Sequence, residues 1–182
     1  MRLRQVATVL LATLVLAGHR AAAQSSPGGW QLKTQDAQST TSVTLTLVAA
    51  TQVKGWLRSA RPVLTIQCRG GTAAAYVETG VALEVTQVDQ QVVRVRWDTT
   101  EFHSERWREV GNWTISPHHP TDLVARLLHA KRFTLEFTPF SGLPALADFA
   151  VQGLAQYSQP LATYCGIREA AESATRDGGE KN

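Results

Sequence analysis

The 182 residues carry 18 Lys and Arg against 15 Asp and Glu, a formal charge of +3. That excess lies in Arg2, Arg4 and Arg20, so residues 24–182 are formally neutral, which argues against nucleic acid or an acidic lipid surface as partner. The length suits one domain able to bury roughly 68–70% of its unfolded surface, and no apolar run after residue 23 reaches the ~20 residues of a membrane helix.

At the N-terminus a basic start, Met1-Arg2-Leu3-Arg4, leads into an apolar run from Val6 to Ala17 and then Ala21-Ala22-Ala23. Basic residues, a short apolar stretch and an Ala-x-Ala end predict a secretory signal peptide over 1–23, cleaved after Ala23. The run is too short to span a bilayer and no cysteine stands at the cut, so the sequence predicts an exported, periplasmic product with no membrane anchor after signal removal. Residues 24–29 read as a flexible leader. Export would place the two cysteines, Cys68 and Cys165, in an oxidising compartment where one intramolecular bridge forms. The alternative is two free buried thiols.

From Trp30 onward the pattern has period two. "WQLKTQ" opens a strand, and "TSVTLTLVAA" puts Val43, Leu45, Leu47 and Ala49 on one face. "KGWLRSARP" reads as a connection. "VLTIQC" turns Leu64, Ile66 and Cys68 inward and runs into Gly70-Gly71, a two-residue hairpin. Counting outward from that turn predicts Arg69 opposite Thr72, Cys68 opposite Ala73, Ile66 opposite Ala75 and Leu64 opposite Val77. The small residues opposite Cys68 leave room for a bridging partner. "VALEV" suggests a short strand. "QVVRVRWD" sets Val93, Val95 and Trp97 against Arg94, Arg96 and Asp98, "TTEFHSER" reads as a loop, and "WREVGNWTIS" as one irregular strand.

A helix is predicted over 120–130, with Pro120 at its first position, Asp122 in its first turn, His129 and Lys131 near its end and an apolar stripe of Leu123, Val124, Leu127 and Leu128. "RFTLEFTPF" is a strand with Phe133, Leu135 and Phe137 inward, and "GLPALADFAVQG" a bend and a further strand. A broken helix at about 153–164, its second part opened by Pro160, would carry Cys165 back onto the sheet. The polar residues 167–182 read as a disordered tail. The expected fold is therefore mainly β: a β-sandwich-like domain over 30–166 with about seven or eight short antiparallel strands and one or two helices.

Chemistry-bearing constellations are sparse. The pair His118-His119, with His103 and His129 elsewhere, has no metal-ligand spacing. Asp98, His103 and Ser104 are sequence neighbours without a nucleophile elbow, Glu101 and Glu105 sit among charged residues, and no glycine-rich stretch is followed by Lys-Ser/Thr. The sequence thus assigns no catalytic residue, no metal and no cofactor. Asn112-Trp113-Thr114 fits the glycosylation acceptor pattern. Arg94, Arg96, Asp98, Arg106 and Arg108 read either as an ordinary solvent face, with a salt bridge to Glu136, or as a docking face for a protein partner in the cell envelope. Trp97, Trp107 and Trp113 are expected in the core.

Four stretches, "LTIQCRGGTAAAYVETG", "VRVRWDTTEFHSERW", "ARLLHAKRFTLEFTPFSGLPALADFAVQGL" and "PLATYCG", together resemble the type VI secretion-associated TagO/VasI family of exported bacterial proteins. The resemblance spans about residues 60–166 and rests on Cys68, Arg96, Asp98, Trp107, Phe149 and Cys165. It implies a periplasmic accessory protein without assigned catalysis, a β-rich fold and a Cys68–Cys165 bridge. The alternative role is a ligand-binding module for a cell-wall fragment or a small apolar molecule, with a hydrolase third. A lined cavity of roughly 300 Å³ or more would favour the ligand binder.

Overall fold

A computed structural model of the chain describes residues 29–37, 40–84, 86, 89–140 and 142–167. The signal-peptide reading of 1–23, residues 24–28 of the leader and the tail from 168 lie outside the described residues.

Alternating apolar and polar side chains build most of the molecule. Strands β1 (Gln31–Ala37), β2 (Thr40–Val48), β5 (Val63–Arg69) and β6 (Thr72–Glu78) follow each other as antiparallel neighbours. Between β2 and β5 lies a small separate ribbon, β3 (Val53–Lys54) with β4 (Ser59–Ala60). The second half contains β7 (Gln90–Trp97), β8 (His103–Glu109), β9 (Thr114–Pro117), helix α1 (Pro120–His129), β10 (Phe133–Phe137), β11 (Ala145–Phe149), a 3₁₀ turn (Leu154–Tyr157) and helix α2 (Ser158–Cys165). The main sheet has nine strands in the order β1-β2-β5-β6-β9-β8-β7-β10-β11, and every neighbouring pair is antiparallel.

Laid flat, β2 and β11 would be roughly 35 Å apart at the usual strand spacing. Instead they touch. The Ala50 N–H donates to the Asp148 carbonyl at 2.7 Å, the Thr51 hydroxyl to the Leu146 carbonyl at 2.9 Å, and the Trp30 indole N–H to the Val151 carbonyl at 3.1 Å. The sheet therefore curls until its two halves face each other. They are joined where β6 and β9 share only Val77↔Ile115 and Glu78↔Thr114. This is the mainly β, sandwich-like architecture that the alternation predicts. Its one contiguous core contains Trp30, Leu45, Ile66, Trp107, Phe133 and Phe149, all fully buried.

Helix α1 packs on β6 and β9, and α2 on β2, β5 and β6. Cys165 of α2 is disulfide-bonded to Cys68 of β5, with the two Cα atoms 4.8 Å apart. The hairpin register counted out from Gly70-Gly71 is the one observed, Cys68 opposite Ala73 included. Ile167 is buried, so the packed domain extends one residue past 166.

Four local expectations change. Within "VALEV", Leu83 forms an isolated bridge with Pro139, and the described residues 81–84 form no strand; Val85 lies outside the described residues. "KGWLRSARP" is the β3–β4 hairpin, closed by the Gly55 N–H donating to the Arg58 carbonyl at 2.8 Å. The loop after β7 ends early, because β8 starts at His103 and pairs with β7. "WREVGNWTIS" is two strands, broken at Gly111, whose φ of 78° reverses the chain. That turn removes Trp113 from the core, leaving it 46% exposed, while Trp107 is fully buried and Trp97 half-buried against Phe133, ring centroids 4.7 Å apart.

Candidate functional site

Three surface features bring chemically capable side chains together. The first is the arginine face. Cross-strand partners in an antiparallel ladder point to the same side. The register Val92↔Arg106, Arg94↔Ser104 and Gln90↔Arg108 therefore places Arg94, Arg96, Arg106 and Arg108 on the outer face of β7 and β8. Arg94 forms the expected salt bridge with Glu136 of β10 at 3.1 Å. The guanidinium carbons of Arg94 and Arg96 lie 4.8 and 4.6 Å from the centroid of the Phe102 ring. Asp98 departs from this face. Its φ of 48° is left-handed, and its Oδ1 accepts the Lys131 and Arg132 N–H groups at 2.8 Å each. It clamps the exit of α1 to the end of β7 and does not extend the strip.

The second feature joins loops far apart in sequence. Trp56 and Leu57 at the β3–β4 tip, Trp113 at the β8–β9 turn and Phe140 after β10 stand 74%, 85%, 46% and 41% exposed. Trp56 meets Phe140 edge-on with centroids 6.3 Å apart, and the Arg58 guanidinium lies 4.2 Å from the Trp113 ring centroid. Arg58 is itself fixed, its Nε–H donating to the Gly80 carbonyl at 2.7 Å. A notch of about 140 Å³ opens between these residues. Two glycines permit the arrangement: a Cβ on Gly55 would come within 2.8 Å of Val81, and one on Gly80, at φ +70°, within 2.6 Å of Ala60. The sequence reading placed Trp113 in the core and gave Trp56, Leu57 and Phe140 no role. Asn112 of the glycosylation pattern is exposed beside the cluster.

The third feature is a groove beside α1. Two recesses of about 390 and 700 Å³ share Trp97, Glu105 and Arg126 as lining. His118 and His119 border the first, His103 and His129 the second. Glu105 is half-buried here, although its sequence neighbours are charged and suggest a solvated position: it accepts the Trp107 indole N–H at 2.8 Å and stands 3.7 Å from Arg126. Asp98, His103 and Ser104 border one recess without a hydrogen bond joining them among the described residues. No group of three or more His, Cys, Asp or Glu able to hold a metal ion occurs among the described residues. No described helix is long and apolar enough to cross a membrane.

The chain matches no family model, no curated protein and no solved structure.

Proposed function

We propose that this chain is a periplasmic, non-enzymatic accessory protein that docks a protein partner in the cell envelope, as its resemblance to the type VI secretion-associated TagO/VasI family implies. The observation that carries the reading is the exposed aromatic cluster of Trp56, Trp113 and Phe140 with Arg58 held over one ring. Trp and Arg are the residue types that dominate binding energy at protein interfaces, and apolar rings exposed together mark such surfaces. The Cys68–Cys165 bond supports export to an oxidising compartment.

The test is a photo-reactive residue introduced at Leu57 in the cell that makes the protein. A discrete protein adduct is expected, lost when Trp56→Ala and Phe140→Ala are combined. An equal yield from a probe at Lys33 on β1, or no adduct at 57, counts against the reading. Fusing residues 1–30 to a reporter active only after export tests the location separately.

The groove beside α1 favours a second reading, a ligand-binding module, because its first recess, at about 390 Å³, passes the roughly 300 Å³ that a binding site needs. It lies outside the sandwich core and is walled by histidines, Glu105 and Arg126, so it suits a polar cell-wall fragment better than a small apolar molecule. Titration with soluble cell-wall fragments, followed through chemical shifts of Trp97, separates the two.

A further inference from the structure

We infer that the outer face of β7 and β8 is a binding site for an extended acidic protein segment with carboxylates at alternate residues. The inference uses a different face from the aromatic cluster and does not depend on it.

The first argument is unspent charge. Of the four arginines, only Arg94 has an acidic partner, Glu136; Arg96, Arg106 and Arg108 form no ion pair among the described residues. The ladder shows why Arg96 lacks one. Arg94 lies opposite Glu136 on β10, whereas Arg96 lies opposite Thr134. The next residue across, Asp148 on β11, is held by the Thr134 hydroxyl, which donates to its Oδ1 at 2.6 Å. Arg96 Nε is buried and has no hydrogen-bond acceptor among the described residues. The Arg94 and Arg96 guanidiniums both pack against the Phe102 ring, which orders both forks before a partner arrives.

The second argument is spacing. Arg108 and Arg106 are two residues apart on β8, as are Arg94 and Arg96 on β7, a step of about 7 Å along each strand. The step from Arg106 to Arg94 is the diagonal between neighbouring strands, about 7–8 Å. The four arginine positions therefore form a slanting row with a nearly constant step. An extended peptide presents same-side side chains at that interval. Forked guanidinium donors match carboxylates in charge and shape. A compact anion would reach one or two of the four; a strand-like segment with acidic residues at i, i+2, i+4 and i+6 reaches all of them.

The test uses the oxidised protein and two synthetic peptides of identical composition, one alternating Glu and Thr, the other with its glutamates contiguous. The alternating peptide is expected to bind at least tenfold more tightly, with an affinity that falls as salt rises. R106Q combined with R108Q, both at exposed positions, should cost tenfold or more with the melting temperature unchanged. E136Q should tighten binding, because it releases Arg94 to the peptide; a general charge effect of similar size elsewhere, checked with E78Q, should not. The combined Trp56→Ala and Phe140→Ala variant should bind the peptide as the unaltered protein does, so failure of the aromatic-face reading and failure of this one are told apart. Equal affinity for the two peptides, no saturation at millimolar concentration, preference for a sulfated glycan over the alternating peptide, or indifference to the R106Q and R108Q changes would overturn the proposal.

Discussion

Helices α1 and α2 lie on the same sheet but are held by different physics. Each packs on β6, yet α2 is also covalently joined to β5 through Cys165, whereas α1 relies on an apolar stripe and on the Asp98 clamp just past its end. The staple acts mainly on the unfolded chain, by removing conformations that a free C-terminal segment would explore. The stripe acts on the folded state, by keeping Leu123, Val124, Leu127 and Leu128 from water. A helix fixed by one face only leaves its other side open, and the groove lined by Trp97, Glu105 and Arg126 lies there.

Breaking the staple should give the largest effect. The two cysteines are separated by 97 residues, and closing a loop of that order is worth about 4.7 kcal/mol in the chain-entropy model, with measured values usually 2–5 kcal/mol. Cys165→Ser, or reduction of the unaltered protein, should lower stability by that amount in urea titrations. Reduction should then have no further effect on the Cys165→Ser variant. Equal midpoints for the oxidised and reduced proteins would show that the bond constrains little.

Leu127 tests the other helix. It is fully buried on α1, and truncation to Ala should cost about 2–5 kcal/mol. The distinguishing feature is its indifference to redox state: the loss should be similar with the disulfide formed or reduced, because it arises in the folded core. A loss seen only after reduction would mean that the two helices share one anchoring device.

Asp98→Ala should cost less, about 1–3 kcal/mol, as two N–H groups lose their acceptor and a left-handed φ must be kept without the side chain that favours it. Asp98→Asn should recover part of this, since Asn tolerates that conformation and its amide oxygen can still accept. If Asn proves no better than Ala, the carboxylate charge is the larger contribution. Broadening confined to the NMR signals of α1 and the groove in the Ala variant would confirm that this clamp belongs to the groove side of the molecule.

Local pattern explains which of these features could be read in advance. The Gly70-Gly71 hairpin, the β7 alternation and the α1 stripe were legible because each is a short-range regularity set by backbone period and turn chemistry. β8 was not, since His103-Ser104-Glu105-Arg106 contains no apolar alternation; pairing with β7 makes it a strand and only Trp107 fills the core from it. Side-chain parity placed Asp98 with the arginines and Trp113 with Trp107, and in each case a left-handed residue, Asp98 itself or Gly111, ended the strand before parity applied. The arginine face was legible as a set, because parity holds within β7 and within β8. Its contacts were not, since Phe102 and Thr134 reach it only through tertiary pairing. The aromatic cluster had no periodic signal. Trp56, Trp113 and Phe140 come from three loops, and the only clue was aromatic residues beside Gly55, Asn112 and Pro139, where turns bring them to the surface.

The smallest expected effect concerns β6, the strand beneath both helices. Tyr76 points away from the buried Ala75 and Val77, and it lies opposite Thr65. Burial raises its phenol above the ordinary 10.0, the nearby Glu78 carboxylate adds to the rise, and a hydrogen bond with Thr65 opposes it. A raised value in the folded state means that ionisation is harder there than in the unfolded chain. The stabilisation is therefore complete below the unfolded value and is lost as pH rises through the folded one. Tyr76→Phe keeps the ring and removes the titration. Urea midpoints of the two proteins should run parallel up to about pH 10 and diverge above it, with the unaltered protein losing stability faster. Because β6 supports α1 and α2 alike, the divergence should be the same with the disulfide intact or reduced. A divergence seen only in the reduced protein would place Tyr76 under the control of the staple, and curves parallel throughout would show that its phenol is as well hydrated as in the unfolded chain.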